Sequence, residues 1–178
     1  MSGQATVLLV IDMQNGFVNH HSRHILPNVT RMISAASKAS IPVIFTRFHN
    51  KPDSQYSRLI GWTRLRESPE TDIVTGLASP TATILDKTIY SAFTPEFDAL
   101  TARNEWSRML VCGIATDSCI LKTAADAFER GFTPIVLEDA CACHAGDDIH
   151  RAGMLLIGRL IGKKQIVSTD DAIGLLPA

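Results

Sequence analysis

The sequence has no long hydrophobic run. Its strongest apolar stretch is Val7 to Ile11, far short of the ~20 residues of a membrane-spanning helix, so no span is expected. It has no excess of either charge: 17 Lys and Arg stand against 18 Asp and Glu in 178 residues, a net charge of −1. That leaves no basic surface of the kind that recruits nucleic acid or anionic membranes. The opening stretch, MSGQATVLLVID, has no basic segment ahead of its apolar residues and does not read as a signal peptide. Four cysteines without an export signal are expected as reduced thiols in the cytoplasm. Asn28-Val29-Thr30 fits a glycosylation acceptor, but carries no weight in an unsecreted chain. The phosphate-cradling patterns G-x-G-x-x-G and G-x-x-x-x-G-K-[ST] are missing, as is the serine-hydrolase pattern G-x-S-x-G. Cys141-Ala142-Cys143-His144 lacks the wider spacing and second ligand pair of a zinc site. Repeats, linkers and low-complexity segments are also absent.

With 46% apolar residues the chain can bury a core, and its length suits a single domain over residues 1–178. Short runs rich in Val, Ile and Leu recur: Thr6–Asp12, Pro42–Phe48, Ala82–Lys87, Arg108–Ile114, Thr133–Asp139 and Lys164–Thr169. Such unbroken runs read as strands covered on both faces, as in a parallel sheet. Their starts lie about 25–40 residues apart, the length of a βαβ unit. Between them the apolar spacing is helical: Val29, Met32, Ile33, Ala36; then Ile120, Leu121, Ala124, Ala125, Phe128; then Met154, Ile157, Leu160, Ile161. Alternating β and α elements make a three-layer α/β sandwich. The polar segment Asn50–Glu70, with Pro52 and Pro69, fits no period and is expected to be a long binding loop.

Ligands of open α/β sheets bind at the C-terminal ends of the strands. The first run ends in Asp12 and the second near His49. The third ends in Lys87, and the fourth leads to Cys119 at the start of a helix. The fifth ends in Glu138 and Asp139. A carboxylate, an ammonium and a thiol thus meet on one edge. A thiol nucleophile needs a lowered pKa or an adjacent base. Lys87 and a helix N-terminus supply positive charge, and Asp12 can take the proton and return it to a leaving amine.

Three motifs, VLLVIDMQNGF at 7–17, DKTIYSAF at 86–93 and GIATDSCILKTAADAFERGF at 113–132, resemble the cysteine hydrolases of the isochorismatase-like superfamily. That group includes nicotinamidases and N-carbamoylsarcosine amidases. The resemblance implies a three-layer α/β/α sandwich with a six-stranded parallel sheet and a triad of Cys119 as nucleophile, Asp12 as acid/base and Lys87 as cation. It also implies a cis peptide before Ala115, whose N–H with that of Cys119 forms an oxyanion hole. Nicotinamidases carry a zinc-binding Asp-x-His after the second strand. Here the matching residues are Arg47 and His49, so no metal or other cofactor is expected.

The leading expectation is a metal-independent hydrolase of a small amide, ureide or carbamoyl compound. The alternatives are a hydrolase of a non-amide bond on the same fold, such as an ester or vinyl ether, and a non-catalytic protein that keeps the fold. Phe17, His49, Trp62, Tyr90 and Phe93 flank the motifs or lie in the long insertion and are the candidate substrate-binding residues; Phe48 is a further candidate wall. The family resemblance implies a homo-oligomer, and the balanced charge and short apolar runs lead to no expected nucleic-acid or membrane partner.

Overall fold

A computed structural model describes residues 5–79 and 81–177; Met1–Gln4, the start of the stretch weighed above as a leader, lie outside them. Six parallel strands form one sheet in the order β3-β2-β1-β4-β5-β6. They are β1 (Thr6–Ile11), β2 (Val43–Phe48), β3 (Thr83–Lys87), β4 (Arg108–Ile114), β5 (Thr133–Ala142) and β6 (Ile166–Val167). The helices are α1 (Leu26–Lys38), α2 (Gln55–Ile60), α3 (Pro95–Asn104), α4 (Leu121–Glu129), α5 (Asp147–Ile161) and α6 (Thr169–Gly174). Right-handed crossovers put α1 on one face of the sheet and α4 and α5 on the other. In keeping with this, α1 packs with α6, and α4 with α5.

The unbroken apolar runs are strands because both of their faces are covered. Val7 to Ile11 and Met109 to Cys112 are fully buried at the centre of the sheet. The chain leaves β1 toward β2 but reaches β4 on the other side of β1, so the strand order reverses between β1 and β4. Such a reversal opens a crevice beyond the C-terminal ends of the two strands. Gly113 lets them close up there. Its φ is +121°, and a Cβ at this position would lie 2.1 Å from the Ile11 carbonyl oxygen, so only glycine fits.

Three sequence boundaries move. The fifth run does not stop at Asp139 but continues to Ala142. Asp139 is instead a structural tie: its Oδ1 accepts from the Thr169 N–H at 2.8 Å and from Thr169 Oγ1 at 2.7 Å, holding the start of α6. The sixth run shrinks to Ile166–Val167, because Lys163–Gln165 form a 3-10 turn and Ser168 caps α6. The Asn50–Glu70 insertion carries the short helix α2, which Ser54 caps and which ends at left-handed Gly61.

Candidate active site

Asp12 is the first residue after β1 and has φ +47°, a left-handed conformation uncommon outside glycine. Thr46 on the neighbouring strand holds it there. The Asp12 N–H donates to the Thr46 carbonyl at 3.2 Å, and Thr46 Oγ1 donates to Asp12 Oδ1 at 2.6 Å. Lys87 is the last residue of β3, paired in register with Phe48. Its Nζ lies 2.7 Å from Asp12 Oδ2, and both side chains are fully buried. The same Nζ donates to the carbonyls of Ile89 and Tyr90, each at 3.0 Å, and stands 3.5 Å from Cys119 Sγ. The Lys87–Asp12 contact is thus a fully buried ion pair.

Cys119 does not open a regular helix as expected. It sits in a π-helical turn, Thr116–Ile120, between the end of β4 and α4. Such turns recur where a side chain must be aimed rather than buried in a regular ladder. The Ile114–Ala115 peptide ahead of it is cis. Behind the turn lies α5. A Cβ on Gly153 would meet the Asp117 nitrogen at 2.9 Å, and His150 Nδ1 is 2.8 Å from Thr116 Oγ1.

The charges oppose one another. Burial pulls the Lys87 pKa down, but the Asp12 carboxylate and Cys119 outweigh it and the net direction is up. Burial pushes the Cys119 thiol up, as does Asp12, while Lys87 pulls it down; the result is about 12. Desolvation thus opposes the thiolate, and Lys87 is the one neighbouring charge that favours it.

The thiol faces a cavity of about 170 Å³. Ala115, Ser118 and Cys119 line it beside aromatic walls. Phe17 and Trp62 stack with centroids 5.9 Å apart at 16°, and Tyr56 meets Tyr90 edge-on at 5.0 Å. Phe48 lines the cavity too. Of the candidate substrate-binding residues, Phe17, Trp62 and Tyr90 thus come together.

Two others do not. His49 turns out of the cavity and sets Nε2 3.1 Å from Asp86 Oδ1. Phe93 packs between Phe97 and Phe132, with the Arg130 guanidinium 4.3 Å over its ring; it is core, because its backbone follows β3 down toward α3.

Sequence reasoning missed Tyr56, Ile60, Asp117, Ser118 and His144, all of which line the cavity. Asp117 and Ser118 stood inside the quoted motif beside Cys119. His144 was hidden by ending the fifth run too early, at Asp139. Its ring lies 5.2 Å from both Phe17 and Trp62, and burial lowers its pKa.

The sequence profile of the Isochorismatase domain matches residues 6–162. The chain belongs to the isochorismatase family. Nicotinamidase 3 of Arabidopsis thaliana is 29% identical over 162 residues, covering 86% of this chain and 81% of the relative. The ureidoacrylate amidohydrolase RutB of Methylobacterium radiotolerans is 27% identical, covering 96% of this chain and 80% of that one. Among solved structures, a cysteine hydrolase from Pseudomonas syringae superposes with a TM-score of 0.86 at 23% identity. It covers 98% of this chain and 93% of its own, which shows a common fold.

The zinc site of nicotinamidases is tested by the residues at its place in this isochorismatase-family chain. Arg47 Nε and Nη2 lie 2.7 and 3.0 Å from the two Asp86 oxygens, and His49 shares the first of them. A guanidinium has no lone pair to give a metal and repels a cation. Among the described residues, no group of three or more His, Cys, Asp or Glu is arranged to hold a metal ion. These residues do not fit zinc. Among the described residues, no helix is long and apolar enough to cross a membrane.

Proposed function

We propose that the protein hydrolyses the C–N bond of a small amide, ureide or carbamoyl compound through an acyl-enzyme on Cys119. One observation carries this reading: Cys119 Sγ faces an aromatic-walled cavity, and behind it, buried, Lys87 Nζ stands 3.5 Å from the sulfur and 2.7 Å from Asp12 Oδ2. The names of the relatives, a nicotinamidase and a ureidoacrylate amidohydrolase, support the same substrate class.

With the thiol neutral at rest, attack and proton transfer go together. Sγ bonds to the carbonyl carbon while its proton passes to Asp12, so no free thiolate is needed. The carbonyl electron pair moves to oxygen, where the N–H groups of Ala115 and Cys119 form an oxyanion hole. When the intermediate collapses, the C–N bond breaks, and Asp12 returns the proton to the departing nitrogen. Ammonia or an amine leaves a thioester on Cys119. Water, deprotonated by Asp12, then attacks the thioester, and the proton goes back to sulfur as the acid departs. Lys87 stays charged throughout and orients Asp12 against sulfur. Phe17 and Trp62 present flat apolar faces to a planar substrate, with Tyr90 closing the mouth. We further propose that the protein works as a homo-oligomer in the cytoplasm.

Ammonia release from a panel of small primary amides and ureides tests it. Wild type should turn over at least one of them. Cys119→Ala should lose essentially all of that turnover with an unchanged circular dichroism spectrum, and Asp12→Asn should lose ~10²-fold or more. A Cys119→Ala protein that keeps a substantial fraction of the rate would overturn the mechanism.

A further inference from the structure

Exposed large apolar side chains gather on α5. Ile149, Leu155, Leu156 and Leu160 all stand in solvent on this one helix, Leu155 with 70% of its surface exposed. The helix has already used its other face: Gly153, Ile157 and Ile161 are buried, against α4, β5 and the Thr116–Ile120 turn. The neighbouring α4 adds an exposed Phe128. A concentration of apolar surface like this marks an interaction site.

We propose that the outer face of α5 joins two copies of this chain, packed antiparallel about a two-fold axis. The charges on the helix select that partner. The helix begins with Asp147 and Asp148 and carries Arg159 in its last turn. Asp148 and Arg159 are equally far from the midpoint between Gly153 and Met154. An antiparallel pair centred there sets Asp148 against Arg159 of the partner subunit, and symmetry repeats the contact. Among the described residues, Arg159 forms no ion pair within its own chain, while Asp148 pairs only with Arg151 on the same helix. The same register places Leu155 over Ala152 of the partner subunit, a large side chain over a small one. It also lays Leu156 along the aliphatic stem of Arg151 of the partner subunit. Antiparallel helix dipoles add to the match. A stable interface takes ~800 Å² per partner, and Phe128 of α4 extends the surface beyond one helix.

The other exposed apolar cluster, Leu59, Ile60 and Ile89, borders the cavity mouth. Covering it would close the entrance to the cavity. The α5 contact leaves that entrance open. It also clamps the helix whose inner face carries Gly153 and His150 against the nucleophile turn.

This inference rests on the homo-oligomer reading, and sedimentation equilibrium at micromolar concentration separates the two. Wild type should show twice the 19.4 kDa of one chain, or a multiple of that. Leu156→Glu with Leu160→Glu should halve the mass or more while circular dichroism is unchanged, and Leu59→Glu should leave it alone. Arg159→Asp should weaken association roughly tenfold or more, and adding Asp148→Arg should restore it by reversing both charges. Wild type at the mass of one chain overturns the homo-oligomer reading and the contact with it. An oligomer untouched by the α5 changes, or broken by Leu59→Glu instead, overturns the α5 contact alone.

Discussion

Two ion pairs leave the same corner of the sheet from adjacent residues and differ in everything but length. Lys87 and Asp86 are neighbours on β3. Lys87 Nζ meets Asp12 at 2.7 Å, and Arg47 Nε meets Asp86 at 2.7 Å. The pleat sends them to opposite faces. The Lys87–Asp12 side chains are 0% exposed, whereas Arg47 and Asp86 keep 32 and 55% of their surface in water. Distance therefore says nothing of what each pair does. In water the attraction is offset by hydration and screened by salt, and such a pair is worth at most about 1 kcal/mol. In the interior each charge has given up its hydration and depends on its partner. The exposed pair decorates the fold; the buried pair is a store of electrostatic potential beside a thiol.

The sharpest way to break the comparison is to remove one buried charge. Lys87→Met keeps the length of the side chain but leaves the buried Asp12 carboxylate without its counter-charge. Stability should fall by about 3–5 kcal/mol, the usual cost of orphaning one member of a buried pair. Amide turnover should fall with it. Adding Asp12→Asn removes the stranded charge, so urea unfolding of the double variant should show most of the lost stability restored while turnover stays lost. A Lys87→Met protein within about 1 kcal/mol of wild type would mean that water reaches Asp12 and that the pair is not the store of potential described.

The second test sharpens what the buried charges do to sulfur. Cys119 sits at a pKa of about 12 because burial and Asp12 outweigh Lys87. The thiolate fraction is then small and rises about tenfold per pH unit over the accessible range. Alkylation of Cys119 by iodoacetamide, followed by mass spectrometry on the intact fold, should climb with pH from 7 to 10 without a plateau. Lys87→Met should lower the rate at each pH, since the one charge favouring the anion is gone. A plateau near neutral pH would show a resting thiolate and return the mechanism to free-thiolate attack.

The contrast also explains how far the sequence could be read. The six apolar runs gave the strands in order because a parallel sheet covers both faces of each. Asp12, Lys87 and Cys119 were legible because each ends such a run. Pattern could not say how deeply they are buried, nor that burial and Asp12 would push the Cys119 thiol up against the pull of Lys87. His49 and Phe93 were misplaced for a related reason. Each lies close in sequence to the motifs, but the path of the backbone past β2 and β3 turns one toward Asp86 and the other into the core. Gln14, inside the first motif, drew no attention. It is fully buried and ties the end of β2 to the residue that follows the insertion, donating to the Phe48 and Thr71 carbonyls at 2.9 Å and accepting from the Phe48 N–H at 2.7 Å. A lone polar residue that knits two loops has no periodicity to betray it.

The smallest expected effect belongs to the exposed pair. Arg47→Ala should cost less than about 1 kcal/mol and leave turnover unchanged, because no atom of Arg47 reaches the cavity. Its influence should show mainly through pH. The Arg47 hydrogen bond holds the Asp86 carboxyl below its ordinary value against the opposing effect of partial burial. A carboxyl with a depressed folded pKa contributes stability that is present above the unfolded value, near 3.9. That contribution is lost as pH falls through the folded value. Wild type should therefore lose slightly more stability than Arg47→Ala between pH 5 and pH 2, and raising the salt concentration should shrink even that gap. Unfolding midpoints of the two proteins across this range make the measurement. A loss of several kcal/mol in Arg47→Ala at pH 7, or a fall in turnover comparable to that of Lys87→Met, would erase the distinction between the two pairs.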